Sequence, residues 1–194
     1  MPHILGACTG SLPAPKVEEI NMRPWILFDW GDTLMRTLAY PGPMSTWPRV
    51  EVIPGAAEAL RELSDHAGIA LATNAADSRE DEIWTALALA GLDPFIDRIF
   101  CFRSVGHKKS SPPFFAHVME QLGVPAGRLV MVGDDFEQDV TAANAVGIQA
   151  VWFNEKSHEA REGADHFTIH HLRDLPARLE ARGILNDASH HGSR

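Results

Sequence analysis

The sequence predicts an α/β fold with a central parallel sheet and helices on both of its faces, and three observations carry that prediction. Short apolar runs alternate with helix-length segments along most of the chain. Several helical segments stop at a glycine, as at Gly91, Gly123 and Gly147, where a helix is easily ended. The apolar runs give out instead into polar residues, among them Asp29, Thr73 and Asp134. In an open α/β sheet the carboxyl ends of the strands are where ligands bind.

Trp25 to Phe28 is the first buried strand and runs directly into Asp29. A loop rich in proline and glycine, Tyr40-Pro41-Gly42-Pro43, follows it. Pro54-Gly55 then opens a helix in which Ala56, Leu60, Leu63 and Ala67 recur near the helical period and cover one sheet face. Ile69 to Ala72 is a short strand ending in Thr73-Asn74, and a helix from about Arg79 to Ala90 stops at Gly91. A helix with a strand on either side is one crossover unit. The pattern repeats with a strand over Ile99 to Phe102 and a helix over Pro112 to Leu122, then a strand over Leu129 to Val132 that enters Gly133-Asp134-Asp135. A helix from Gln138 to Val146, strands over Gln149 to Phe153 and His166 to Ile169, and a helix over Leu172 to Ala181 complete the layout.

Four strand ends carry chemistry: Asp29 after the first, Thr73 after the second, Lys109 a few residues past the third, and Asp134 with Asp135 and Asp139 after the fourth. A parallel sheet brings these ends to one edge, so residues far apart in sequence converge. Carboxylates meeting there make a hard-oxygen site suited to magnesium. A lysine beside them offsets part of their charge and can grip a phosphate oxygen, and a threonine hydroxyl can donate to another. Asp29 is then a candidate nucleophile toward phosphorus, a role a carboxylate takes when a metal neutralises the phosphoryl group.

With these residues in place the chain resembles the haloacid dehalogenase-like (HAD) hydrolase superfamily, a group dominated by magnesium-dependent phosphatases. The resemblance runs from Pro24 to about Leu179. Phe28-Asp29-Trp30-Gly31-Asp32-Thr33-Leu34 is similar to the family's first motif, with Asp29 at the nucleophile position. Thr73, followed by Asn74, occupies the phosphate-binding position of the second. Ser104 to Pro112 resembles the lysine motif, and its spacing from Gly106 and to Pro112 selects Lys109 over Lys108. Val132-Gly133-Asp134-Asp135 with Asp139 resembles the fourth motif. The resemblance implies a Rossmann-like sheet, magnesium held by Asp29, the Gly31 carbonyl and Asp134, and a supporting shell of Asp135 and Asp139, with Asp139 orienting the lysine.

The first motif departs from the family's phosphatase pattern. The family's acid and base is an Asp two residues past the nucleophile; here that position is Gly31, and Asp32 stands where glycine is usual. A backbone carbonyl suffices for the metal at position 31. Proton transfer, which typically contributes a factor of about 10² to 10⁴, is left to Asp32 as a displaced acid or base. Three readings follow: a slow or specialised phosphatase for esters with good leaving groups, a weakened member that binds a phosphorylated ligand or protein partner, and a dehalogenase. The last would lack the family's basic halide-binding region and large cap.

The segments between the motifs leave no room for a substantial cap, only a proline-rich loop in which Met44 and Trp47 are candidates for a small substrate platform. An open site admits a phosphorylated small molecule or a bulkier phosphorylated substrate. No GxGxxG, HExxH, nucleophile elbow or paired CxxC occurs.

The 194 residues, 45% of them hydrophobic, suit one packed domain. The division is a flexible leader over 1–22, a single catalytic domain over 23–183 and a flexible tail over 184–194. Met22 is a candidate true start, and His190 and His191 in the tail lack convergent ligands. A net charge of -9 attracts cations and argues against a nucleic-acid partner. Only Cys8 and Cys101 occur, which fits a reducing compartment. With no secretory signal and no apolar run near the roughly 18 residues a membrane span needs, a cytoplasmic protein is expected.

Overall fold

A computed structural model describes residues 23–185. The strands are β1 (Trp25–Phe28), β2 (Gly68–Thr73), β3 (Arg98–Cys101), β4 (Leu129–Gly133), β5 (Gln149–Phe153) and β6 (His166–Ile169). They form one sheet in the order β3-β2-β1-β4-β5-β6, with every neighbouring pair parallel. The connection reverses direction between β1 and β4, which makes that crevice the topological switch point of the fold.

Alternation along the strands explains why both faces are covered. Ile26, Phe28, Ile69, Leu71, Val130 and Val132 point to one core, which is closed by α1 (Ala56–Ser64), α2 (Glu80–Ala90) and α6 (Leu175–Ala181). Leu27, Ala70, Ala72 and Met131 point to the other. That second core is closed by α4 (Pro112–Leu122) and by a helical segment that starts as a π turn at Phe136–Thr141 and ends as α5 (Ala142–Asn144). A strand buried on both faces reads as a continuous apolar run, and the strand-forming segments of this sequence do.

Some boundaries differ from the sequence reading, each for a local reason. The third strand ends at Cys101, because Phe102 already begins the short helix α3 (Phe102–Val105). There Ser104 Oγ accepts from the Cys101 N–H at 3.3 Å, and Gly106, at φ 77, ends the turn. The helix expected from Gln138 starts at Phe136, since the Asp135 carboxylate caps the N–H groups of Glu137 and Gln138. It stops at Asn144, whose side-chain amide turns to the carbonyls of Ile148 and Asp165. Residues Leu172–Asp174 form a 3-10 turn before α6; Pro176 has no N–H to make the α-helical bond back to Leu172. Ala67 is fully buried but lies past the end of α1.

The cap is small. Between β1 and α1 the chain makes a 3-10 turn at Met44–Thr46 that packs on α2, and nothing larger. Before it, residues 34–36 run beside 51–53, joined by Arg36 N–H to Glu51 O at 2.8 Å and Ile53 N–H to Leu34 O at 2.9 Å. Ile184 and Leu185, counted with the tail in the sequence reading, pack against the first core. The leader, Met22, His190 and His191 lie outside the described residues. Among the described residues no helix is long and apolar enough to cross a membrane.

Candidate active site

The switch point between β1 and β4 places Asp29 and Asp134 side by side. Asp29 leaves β1 with its N–H donating to Val132 O at 2.8 Å. Thr33, fully buried, ties the two loops: its hydroxyl lies 3.3 Å from Asp29 Oδ2 as donor and accepts the Asp134 N–H at 3.2 Å. Trp152 on β5 fixes the other side of that loop by donating from its indole N–H to Asp134 O at 2.9 Å.

Lys109 enters from the third strand's loop and is only 3% exposed. Its ammonium donates to Asp29 Oδ1 and lies 2.7 Å from Asp139 Oδ1, an ion pair outside hydrogen-bond alignment. Burial works to lower its pKa, but the fields of Asp29 and Asp139 outweigh that and hold it above its ordinary 10.5. Asp139 is the opposite case. Burial pushes its carboxyl up to about 7, against the pull of Lys109 and with the help of the Asp29 charge. Its Oδ2 accepts the Asp135 N–H at 3.1 Å and presses on Gly133 so closely that a Cβ there would sit 1.9 Å away. Only glycine at the end of β4 leaves room for this carboxylate.

Thr73, at the end of β2, is 4% exposed and accepts the Ala75 N–H at 3.2 Å, which leaves its hydroxyl hydrogen to donate. Asn74 holds the lysine loop: its Oδ1 accepts the Lys109 N–H at 2.7 Å and its Nδ2 donates to Gln138 Oε1 at 3.0 Å. Gln138 in turn donates to Asp135 Oδ2 at 2.7 Å. The Asp135 carboxyl is held below its ordinary range: burial opposes this, but bonds from Gln138 and Glu137 prevail. These groups surround a cavity of about 320 Å³. Asp29, Gly31, Thr73, Asn74, Lys109, Asp134, Asp135 and Asp139 line it, and so do both members of the expected platform, Met44 and Trp47.

Asp32 is not brought into that lining. Its backbone is left-handed at φ 56, and its Oδ1 accepts the Thr37 N–H at 3.1 Å while Oδ2 lies 3.9 Å from Lys156 Nζ. Lys156 also donates to Asp134 Oδ2 at 3.0 Å. Burial raises the Asp134 carboxyl above its ordinary 3.8, with the Lys156 bond pulling the other way. Beside Gly31 stands Thr37, which also lines the cavity.

Oxygens of Asp29, Asp134 and Asp139 lie within 4.8 Å of one another, so a divalent ion such as magnesium fits this donor set. Asp139, read from the sequence as a supporting group only, belongs to that cluster by distance. Both its oxygens are nonetheless engaged, by Lys109 and by the Asp135 N–H.

Sequence reasoning missed Thr33, Thr37, Gln138 and Lys156. Thr33 stood inside the first motif, a hydroxyl residue four positions past Asp29, and was open to notice. The other three carry no spacing signal, since their placement depends on loop folding.

A model of the haloacid dehalogenase-like hydrolase family matches residues 46–147. The chain is 32% identical over 145 residues to a ribulose-1,5-bisphosphate 5-phosphatase of Halopiger xanaduensis, covering 71% of this chain and 56% of that protein. It is 30% identical over 125 residues to a pyrimidine 5'-nucleotidase of Escherichia coli, covering 63% and 54%. The chain thus spans about half the length of these curated relatives. Among solved structures, an uncharacterized protein of Listeria monocytogenes serotype 4b shares the fold with a TM-score of 0.71 at 24% identity, over 81% of this chain and 97% of that one.

Proposed function

The chain belongs to the haloacid dehalogenase-like hydrolases, and on that premise we propose that it is a magnesium-dependent phosphomonoester phosphatase with Asp29 as nucleophile. The observation that carries this reading is the meeting of Asp29, Lys109 and Asp134 in one cavity at the switch point. A carboxylate attacks a phosphate dianion only where cationic groups neutralise both partners. The names of the two curated relatives, a phosphatase and a 5'-nucleotidase, support the same reaction class.

In this reading an Asp29 oxygen attacks phosphorus, the bond from phosphorus to the ester oxygen breaks, and the leaving group takes a proton from solvent. Water then attacks the same phosphorus, the bond to Asp29 breaks, and phosphate departs with the carboxylate regenerated. Lys109 holds Asp29 in place and offsets charge on the phosphoryl oxygens, while Thr73 and Asn74 donate to them. Asp29 and Asp134, with the Gly31 carbonyl, would hold magnesium, which when bound neutralises phosphoryl charge. Asp139 and Asp135 support Lys109 and the β4 loop.

A second reading, a weakened enzyme that retains a phosphorylated ligand or protein partner, draws on the absence of a carboxylate at Gly31 and the engagement of Asp32 by Thr37 and Lys156 outside the cavity lining. A dehalogenase finds no support in the cavity, where Lys109, already paired with two carboxylates, is the single lining cation among the described residues. We further expect a cytoplasmic protein without nucleic-acid or membrane partners, in line with its net charge of -9 and its two cysteines.

The test is magnesium-dependent hydrolysis of 4-nitrophenyl phosphate. Turnover should vanish in Asp29→Asn while the circular dichroism spectrum is kept. Equal residual rates in the two proteins would overturn the phosphatase reading. Turnover of a physiological ester at about 1 s⁻¹ or faster, within the ordinary enzyme range, would overturn the second.

A further inference from the structure

The cavity has a charge pattern that the reaction itself does not require. Besides the groups that would meet the phosphate, its lining includes Met44, Trp47 and Gln138 and the carboxylates Asp77 and Asp135. Both of these carboxylates are exposed. Lys109 is the only cation in the lining among the described residues, and it is buried and paired with Asp29 and Asp139.

Of the cations near the cavity, Lys156 and Arg36 are paired with carboxylates. Lys156 is held by Asp134 at 3.0 Å with Asp32 at 3.9 Å, and Arg36 is paired with Glu155. Arg103 donates to Ala76 O at 2.7 Å, and Lys108 is exposed without lining the cavity. A second phosphate or a carboxylate on the substrate would therefore meet Asp77 and Asp135 with no unpaired cation among the described lining residues. Like charges disfavour one another, by an amount that salt reduces where they are exposed. Specificity can be built on such repulsion as well as on contacts.

We infer that the cavity selects phosphomonoesters whose leaving group carries no negative charge, and takes best an aromatic group that is neutral or bears an ammonium. This deepens the phosphatase reading and rests on it for the identity of the phosphate site. Met44 and Trp47 supply apolar surface for the ring, and Gln138 supplies a neutral hydrogen-bonding group. An ammonium gains from Asp77, and bisphosphates and phosphorylated carboxylic acids are turned away.

Three non-hydrolysable probes test this with the full chain and magnesium: phenylphosphonate, 4-carboxyphenylphosphonate and 4-(aminomethyl)phenylphosphonate, titrated by calorimetry. The carboxylated probe should bind at least about tenfold more weakly than the aminomethyl one, with a gap that narrows as salt is added, since exposed charges are screened. Asp77→Lys should shrink the gap further. Equal or tighter binding of the carboxylated probe overturns the inference, as does failure of all three to bind, or a gap that neither salt nor Asp77→Lys alters. Because the probes are not turned over, their order is read independently of catalysis. Absence of 4-nitrophenyl phosphate hydrolysis would sink the phosphatase reading while leaving this order standing.

Discussion

The hydroxyl of Thr37 fills the space that a side chain at Gly31 would need: a Cβ built on Gly31 would lie 2.7 Å from Thr37 Oγ1. Real Cβ atoms essentially never approach so closely, so an acid at position 31 requires the Thr37 hydroxyl to shift. Gly31→Asp alone is therefore expected to bring little gain on an alkyl phosphate, whose poor leaving group needs protonation. Gly31→Asp combined with Thr37→Ala should raise kcat by about 10²-fold or more, the range general acid catalysis provides. Steady-state kinetics of the single and double variants decide the matter. An equal gain from Gly31→Asp alone would show that Thr37 does not guard that space.

Asp32 occupies a left-handed backbone position, φ 56, and is the one non-glycine residue to do so among the described residues. That conformation costs an L-residue roughly 1–2 kcal/mol, and the Thr37 N–H bond at 3.1 Å offsets part of it. Asp32→Gly removes the backbone cost along with the bond, so its stability should stay within about 1 kcal/mol of wild type. Asp32→Ala keeps the cost and loses the bond, and should be destabilised by about 1–2 kcal/mol. Urea denaturation measures both. Hydrolysis of an activated aryl phosphate by Asp32→Gly should be little changed, because this carboxylate does not line the cavity. A large fall in kcat with unchanged stability would restore Asp32 as the acid or base.

The strands and the residues at their ends were legible because two local signals coincide there, an apolar run and the polar residue that stops it. Asp29, Thr73 and Asp134 follow from that coincidence, and Lys109 is selected over Lys108 through the resemblance of Ser104 to Pro112 to the family's lysine motif. What lay beyond the sequence is set by loop conformation. Nothing local distinguishes Lys156 from any exposed lysine, yet it meets Asp134 across 22 positions. The pairing of Asn74 with Gln138 spans 64 positions. The apparent exchange of Gly31 and Asp32 was visible as a pattern, but only the positive φ at 32 and the crowding by Thr37 give it a physical meaning.

Asp139 links the site to the stability of the whole domain. Its carboxyl is pushed up to about 7, above an ordinary 3.8, and burial is the largest cause. Between these values the folded chain keeps a proton that the unfolded chain has released, so the native state binds more protons and stability falls as pH rises. The contribution is fully present below the ordinary value and is lost as pH climbs through about 7. Lys109 does not oppose this trend, since its pKa is raised from 10.5 and it stays charged throughout the window. With divalent ions chelated, thermal unfolding of the wild type should therefore move to lower temperature between pH 4.5 and pH 7.5, a window of about three units around these two values. Asp139→Asn has no proton to lose, and its curve should be flatter over the same window. The two melting profiles measured against pH check this, and parallel curves would show that Asp139 carries its ordinary pKa in the fold.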